Sequence, residues 1–242
     1  MGSIRMVRGG DTVKQRYDWL DLWRSLAVAV MVAFHALWDL EHFGVLAAGT
    51  METPVADVVR YLGGGSFILI SGMLALRSGR SLRRGFLLFC VGLAVAVVTA
   101  LISLPVRFGI LQFLGVSMML CGALRERLLR RTGPGLAAIF LALFVCSWLV
   151  TSLVTVPWRF LYPLGLRAEG FFSADYWPLL PWTFLYLLGT QLGAAALRGG
   201  AGEKAHRIPA ALTFPGRHSL VIYLAHQPIL YGIFRLLFSW KK

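Results

Sequence analysis

The sequence predicts an all-α membrane protein, a polytopic bundle of about seven transmembrane helices. Of its 242 residues, 57% are hydrophobic and only 14% are charged, whereas a soluble domain carries about a quarter charged residues. The mean hydropathy is +0.70. The apolar residues also form blocks of about 18 residues or more, each long enough to cross ~30 Å of hydrocarbon. This pattern excludes a soluble domain.

The apolar blocks define the spans in chain order. They cover residues 20–40, 55–76, 85–104, 108–124, 136–156, 178–197 and 218–238. The first block is too long for the core of a signal peptide and lacks a small-residue cleavage site, so we expect it to be retained. Residues 1–17 are polar and basic and are predicted to form a cytoplasmic tail, while 18–242 form one membrane domain.

Basic residues alternate between the loops. Sixteen fall on one side: Arg5, Arg8, Lys14, Arg16, Arg77, Arg80, Arg83, Arg84, Arg125, Arg127, Arg130, Arg131, Arg198, Lys204, Arg207 and Arg217. Five fall on the other side: Arg107, Arg159, Arg167, Lys241 and Lys242. Because basic residues mark the cytoplasmic side, the pattern predicts an N-in/C-out protein of the inner membrane. The net charge of +13 therefore reflects topology and does not indicate nucleic-acid binding.

The first span carries ionisable groups on one face. Arg24 and His35 are eleven residues apart, which is about 20° from a whole number of turns and ~16 Å along the helix. Asp39 follows His35 by four residues, within reach of a side-chain pair. A His–carboxylate pair can act as a general base. The alternative is that His35 bridges two helices by a hydrogen bond and Asp39 ends the helix.

The last span also carries polar groups. It opens with Arg217 and His218, which are predicted either to anchor the helix at the interface or to bind an anionic group. His226 and Gln227 lie near mid-membrane beside Pro228, which frees a backbone carbonyl. They form either a second polar wall of one cavity or a polar packing site.

Polar groups also gather at the outer ends of the spans. Arg60, Arg107, Gln112 and Asp175 outnumber what packing demands, which predicts an outward-facing aqueous pocket. The small residues Gly63–Ser66 and Ser71-Gly72 of the second span indicate close helix packing. The loop at 157–177 is rich in aromatic residues and is either an interfacial belt or a lid. The three cysteines lie inside apolar spans without metal-like spacing, so no metal is expected.

The run Asp21-Leu-Trp-Arg24, followed after ten residues by His35, resembles the signature of membrane-embedded acyltransferases that act on sugars. More closely, the chain resembles the catalytic-domain family of heparan-alpha-glucosaminide N-acetyltransferase. The matching segments are Asp21–Asp39, Phe67–Gly72, Phe108–Gly115, Asp175–Trp182 and Gly216–Leu230. The last of these, which begins Gly-Arg-His-Ser and includes His-Gln-Pro, is the most specific.

The resemblance implies transfer of an acetyl group from cytoplasmic acetyl-CoA to a sugar or glycolipid acceptor at the outer face. His35 would be the base or the acyl carrier, Asp39 its orienter and Arg24 a phosphate contact. The lysosomal enzyme's pattern has its histidine in the outer loop, so His42 is an alternative catalytic residue. Direct transfer and an acyl-histidine intermediate both fit. The competing hypotheses are a small-molecule or lipid transporter, haem binding between His35 and His226, and a non-catalytic membrane subunit.

Overall fold

The computed structural model describes residues 17–77, 79–198 and 208–238. In these ranges the regular secondary structure is helical, with one isolated β-bridge between Thr155 and Arg167. The helices are α1 (Asp18–His42), α2 (Pro54–Ala75), α3 (Ser81–Leu101), α4 (Ile110–Ala123), α5 (Arg125–Arg130), α6 (Pro134–Leu153), α7 (Leu179–Arg198), α8 (Ala210–Arg217) and α9 (Ser219–Phe238). The all-α fold class is confirmed. The predicted tail lies outside the described residues except for Tyr17.

Five helices of the described chain are long and apolar enough to cross a membrane: α1, α2, α3, α6 and α9. The protein is therefore a multi-pass membrane protein. The predicted spans 108–124 and 178–197 correspond to α4 and α7. Helix α4 is a shorter apolar helix of 14 residues, and α7 has 20 residues with a non-helical residue at Leu180. The count of seven crossings stays a prediction.

Local sequence sets several helix starts. The Thr53 hydroxyl accepts a hydrogen bond from the Ala56 N–H at 3.3 Å, and Pro54 occupies the first position of α2. Proline suits this position because its missing N–H has no partner inside the helix anyway. Pro134 opens α6 in the same way.

Glycines bring helix pairs into backbone contact. A Cβ at Gly72 would collide with the Tyr186 carbonyl, and one at Gly189 or Gly193 would collide with the carbonyls of Leu69 or Met73. Helices α2 and α7 therefore pack at the shortest distance that glycine permits. Helices α3 and α4 pack in the same way, and α1 packs on α2, α8 and α9. The close packing expected from the small residues of the second span is confirmed.

An aromatic cluster joins α2, α6 and α7. Tyr61 contacts Trp148 with ring centroids 4.9 Å apart, and Trp182 contacts Trp177 at 4.6 Å. Gly64 has no room for a Cβ because the Trp177 ring lies against it. The aromatic residues of the loop at 157–177 therefore occupy two different environments. Trp158 and Phe160 are exposed, as a belt requires, whereas Trp177 is buried in the bundle.

Candidate functional site

A cavity of about 600 Å³ lies inside the bundle between α1, α2, α3, α4 and α9. Its volume falls within the roughly 300–1,000 Å³ typical of small-molecule sites. One end, which we call the basic end, is lined by Asp21, Arg24, Arg77, Arg84 and Arg217. The other, which we call the aromatic end, is lined by Arg60, Asp175, Tyr176 and Trp177. The cavity therefore extends along most of the length of α1.

His35 lines this cavity, one turn beyond Met31 on α1. Its Nδ1 lies 2.9 Å from the Met31 carbonyl oxygen. A carbonyl only accepts, so Nδ1 carries the proton and Nε2 of the neutral ring keeps its lone pair. The ring also contacts His226, with centroids 4.8 Å apart and planes at 73°. Two axial histidines need a metal–nitrogen bond of about 2 Å each, so rings in direct contact leave no room for haem.

Arg24 lines the basic end of the same cavity. Its Nε is buried and has no hydrogen-bond partner, and no salt bridge to Arg24 occurs among the residues that the structure describes. The nearest carboxylate on its helix, Asp21, is bound to Arg217 instead. Arg24 is thus a cation held in the wall of the cavity with unused donors.

The structure does not pair Asp39 with His35, contrary to what the sequence analysis expected. Asp39 is completely buried, and its Oδ1 accepts a hydrogen bond from Nε2 of Gln227 at 2.9 Å. The two residues do lie on one side of α1, but α9 packs against that side, so the Gln227 amide reaches Asp39 first. The Nδ1 of His35 is taken by its own helix at Met31. His226 and Gln227 therefore lie behind His35, outside the cavity wall.

Arg217 pairs with two carboxylates of α1. Its Nη2 lies 3.1 Å from Oδ1 of Asp18, and its Nε lies 3.3 Å from Oδ2 of Asp21. Gly216 packs against the Asp21 carbonyl, and its N–H donates to the Ser25 hydroxyl at 2.8 Å. These contacts fasten α8 to the first turns of α1. Arg217 lines the cavity, but its charge is balanced by protein.

Two histidines predicted for the site lie outside the cavity wall. His218 is exposed, and its Nδ1 donates to the Phe214 carbonyl at 3.0 Å. His42 is exposed at the end of α1, where its ring stacks on Trp38 with centroids 5.7 Å apart. The structure therefore places His35, and not His42, beside the cavity.

At the aromatic end, Arg60 lines the cavity and is only partly satisfied. Its Nη2 donates to Oδ1 of Asp57 at 2.7 Å and to the Tyr61 hydroxyl at 2.9 Å, while its Nε is buried without a partner. Asp175 also lines the cavity. Its Oδ2 accepts from the Ile110 N–H at 2.9 Å and from the Tyr223 hydroxyl at 3.0 Å. Asp175 thereby connects α4, α9 and the segment before α7.

The two remaining predicted pocket residues do not line this cavity. The Gln112 amide oxygen accepts from the Gly109 N–H at 2.8 Å, so Gln112 caps the start of α4. Arg107 is exposed, and its guanidinium carbon lies 5.8 Å from the centre of the Phe171 ring. Both residues lie near the predicted start of the fourth span, where a capping role for Gln112 and a surface position for Arg107 are equally expected.

The sequence analysis did not select three tyrosines of the cavity wall: Tyr176, Tyr186 and Tyr223. Tyr176 donates to the Tyr162 carbonyl at 2.7 Å. Burial raises the pKa of the Tyr176 phenol, so it acts as a neutral donor. Tyr223 lies three residues before His226, which does not line the cavity, so the spacing along the last span did not indicate its position. Tyr186 lies in an apolar run that gives no indication either.

The fold and the site together define a multi-pass membrane helix bundle with a cation and an imidazole in the wall of one long cavity. The family model described as heparan-alpha-glucosaminide N-acetyltransferase, catalytic, matches residues 16–228. The chain belongs to this family. No curated protein and no solved structure gives a significant match to the chain. The described residues contain no cluster of three or more His, Cys, Asp or Glu side chains suited to a metal.

Proposed function

We propose that this protein is a membrane acetyltransferase that moves an acetyl group from cytoplasmic acetyl-CoA to a sugar or glycolipid acceptor at the outer face. Membership in the family supports the reaction class. The observation that carries the proposal is the single cavity whose wall contains both Arg24 and His35 and continues to Arg60. A donor and an acceptor that enter from opposite ends would meet beside His35.

The donor end of the proposal depends on Arg24. Its unused guanidinium donors suit a phosphate, which accepts two parallel hydrogen bonds from one arginine. Eleven residues of helix separate Arg24 from His35, or about 16 Å. A coenzyme A phosphate bound at Arg24 would leave the pantetheine arm lying along the cavity with its thioester near His35.

His35 can support either of two reaction routes through its Nε2 lone pair. In the first, Nε2 removes the proton of an acceptor hydroxyl or amine as that group attacks the thioester carbon. The C–S bond breaks, and the coenzyme A thiolate takes the proton from the imidazolium. In the second, Nε2 itself attacks the thioester carbon, the C–S bond breaks, and the coenzyme A thiolate leaves. The acceptor then attacks the acetyl carbon, the C–N bond to His35 breaks, and the acceptor proton passes to the thiolate. In both, the Met31 carbonyl stabilises the positive ring through Nδ1.

The orientation that this reaction needs is seven crossings with the N-terminus in the cytoplasm of the inner membrane. The packing supports it, because helix ends predicted to share one face lie together. The guanidinium carbon of Arg77, after α2, lies 4.5 Å from the centre of the Tyr17 ring before α1. Arg217, before α9, pairs with Asp18. The partners in this scheme are the surrounding lipids and a glycan or glycolipid acceptor.

The test is acetyl transfer by purified protein in detergent or nanodiscs, with radiolabelled acetyl-CoA and co-purified lipid as acceptor. We expect His35→Ala to lose at least 100-fold of the transfer rate, as removal of a general base typically does. His42→Ala is the matched control, since it removes a histidine from the same helix outside the cavity. Transfer that survives in His35→Ala and is lost in His42→Ala would assign the chemistry to His42. Label retained on the chain would favour the acyl-histidine route.

A transporter is the second candidate, favoured by a cavity that extends from the basic end to the aromatic end of the bundle. Substrate flux in liposomes without consumption of acetyl-CoA would support it over the enzyme. Wild-type protein with neither transfer nor flux would instead indicate a non-catalytic membrane subunit.

A further inference from the structure

We propose that Asp39 is a neutral carboxylic acid that forms a two-hydrogen-bond ring with the Gln227 amide, and that this ring positions His226 against His35. Three buried acceptor atoms in this region have no partner in the structure: Oδ2 of Asp39, Oε1 of Gln227 and Nε2 of His226. Buried acceptors of this kind are uncommon and require an explanation. A proton on Asp39 explains the first two together.

One hydrogen bond between Asp39 and Gln227 is already present in the structure. Nε2 of Gln227 already donates to Oδ1 of Asp39 at 2.9 Å. The two oxygens without partners are the other oxygen of this carboxyl group, Oδ2 of Asp39, and the oxygen of this amide, Oε1 of Gln227. A proton on Oδ2 turns that atom into a donor, which the Gln227 carbonyl can accept. Both groups are then satisfied without any water or ion.

The surroundings of Asp39 argue against an ionised carboxylate. Its side chain has no exposed surface, and it makes no salt bridge among the described residues. The ionisable side chains that act on it are His35 and His42 on α1, and His226 is adjacent in sequence to its partner Gln227 on α9. Neither His35 nor His226 bonds to it, because each donates its Nδ1 proton to a backbone carbonyl. An ionised carboxylate with one hydrogen bond is costly within a membrane.

The ring gives Asp39 a positioning role through α9. Gln227 follows His226 directly in the chain, so fixing Gln227 on α1 fixes the depth and rotation of His226. The His226 ring then contacts His35 at a centroid distance of 4.8 Å. In this arrangement Asp39 does not orient His35 as a counter-ion. It holds the helix that supports the His35 ring.

The test compares Asp39→Asn with Asp39→Ala in the full-length protein. An asparagine keeps the ring, because its NH₂ group replaces the acidic O–H, so we expect Asp39→Asn to melt within about 2 °C of wild type. Asp39→Ala leaves Gln227 unsatisfied and should melt roughly 3–10 °C lower. The infrared spectrum of wild type should contain a protonated-carboxyl C=O band that shifts in D₂O and is absent from Asp39→Asn.

A wild-type spectrum without that band overturns the proposal, and so does an Asp39→Asn variant that is as unstable as Asp39→Ala or does not fold. The infrared and melting measurements need no acetyl transfer, so they can fail independently of the proposed function. The positioning role rests on the proposed function, and its test is rescue. Asp39→Asn should recover acetyl transfer that Asp39→Ala loses, and equal loss in both variants would refute the role.

Discussion

Replacing Asp175 with alanine should loosen three parts of the bundle at once. Its Oδ2 accepts from the first N–H of α4, at Ile110, and from the hydroxyl of Tyr223 on α9. Losing an acceptor at a helix N-terminus costs about 0.5–2 kcal/mol. Leaving a buried hydroxyl unpaired costs about 1–3 kcal/mol. The sum is about 1.5–5 kcal/mol, which lowers the melting temperature of a chain of this size by roughly 3–20 °C.

The assay is thermal unfolding of the detergent-solubilised protein, followed by circular dichroism or by tryptophan fluorescence. Tyr223→Phe is the partial control, because it removes only one of the two donors and should cost about 1 kcal/mol. In the double variant Asp175→Ala/Tyr223→Phe, the two effects should overlap by about 1 kcal/mol, since each removes the same hydrogen bond. An Asp175→Ala protein that melts with wild type, or strictly additive effects, would show that Asp175 does not connect these helices.

Three further predictions concern the cavity wall, the contact between α2 and α7, and the attachment of α8. Arg24→Met should raise the KM for acetyl-CoA about ten-fold or more with a smaller effect on kcat, because it removes the proposed phosphate contact. Steady-state transfer assays measure both constants, and a changed kcat with an unchanged KM would contradict this. Gly189→Val should abolish stable folding, read as loss of the monodisperse peak in size-exclusion chromatography, because its side chain would collide with the Leu69 carbonyl. Arg217→Met should lower stability by about 1 kcal/mol, and the difference from wild type should shrink at high salt, since the pair with Asp18 is partly exposed. A salt-independent difference would mean that packing, and not charge, fastens α8.

The sequence was sufficient for features that depend on periodicity and composition along one helix. Block length identified the apolar helices, and the eleven-residue spacing put Arg24 and His35 on the face of α1 that lines the cavity. The glycines of α2 indicated close packing, which the structure has at Gly72. These properties are local, so the helix repeat is enough to derive them.

The partners of the polar groups could not be derived in this way. Asp39 bonds to Gln227, and Arg217 bonds to Asp18, across nearly the whole chain. Both pairings depend on which helix packs against α1, and hydropathy carries no information about helix order. Gln112 was assigned to the pocket because of its depth. Its actual role follows from a bond to the Gly109 N–H that only the turn before α4 creates.

The glycine contacts between α2 and α7 also restrict how the bundle can move. Where carbonyls lie against Gly72, Gly189 and Gly193, two backbones cannot slide past one another without separating. Helices α2 and α7 should therefore move together as one rigid unit. Helix α9, in contrast, is joined to its neighbours by side-chain hydrogen bonds such as those of Tyr223 and Gln227.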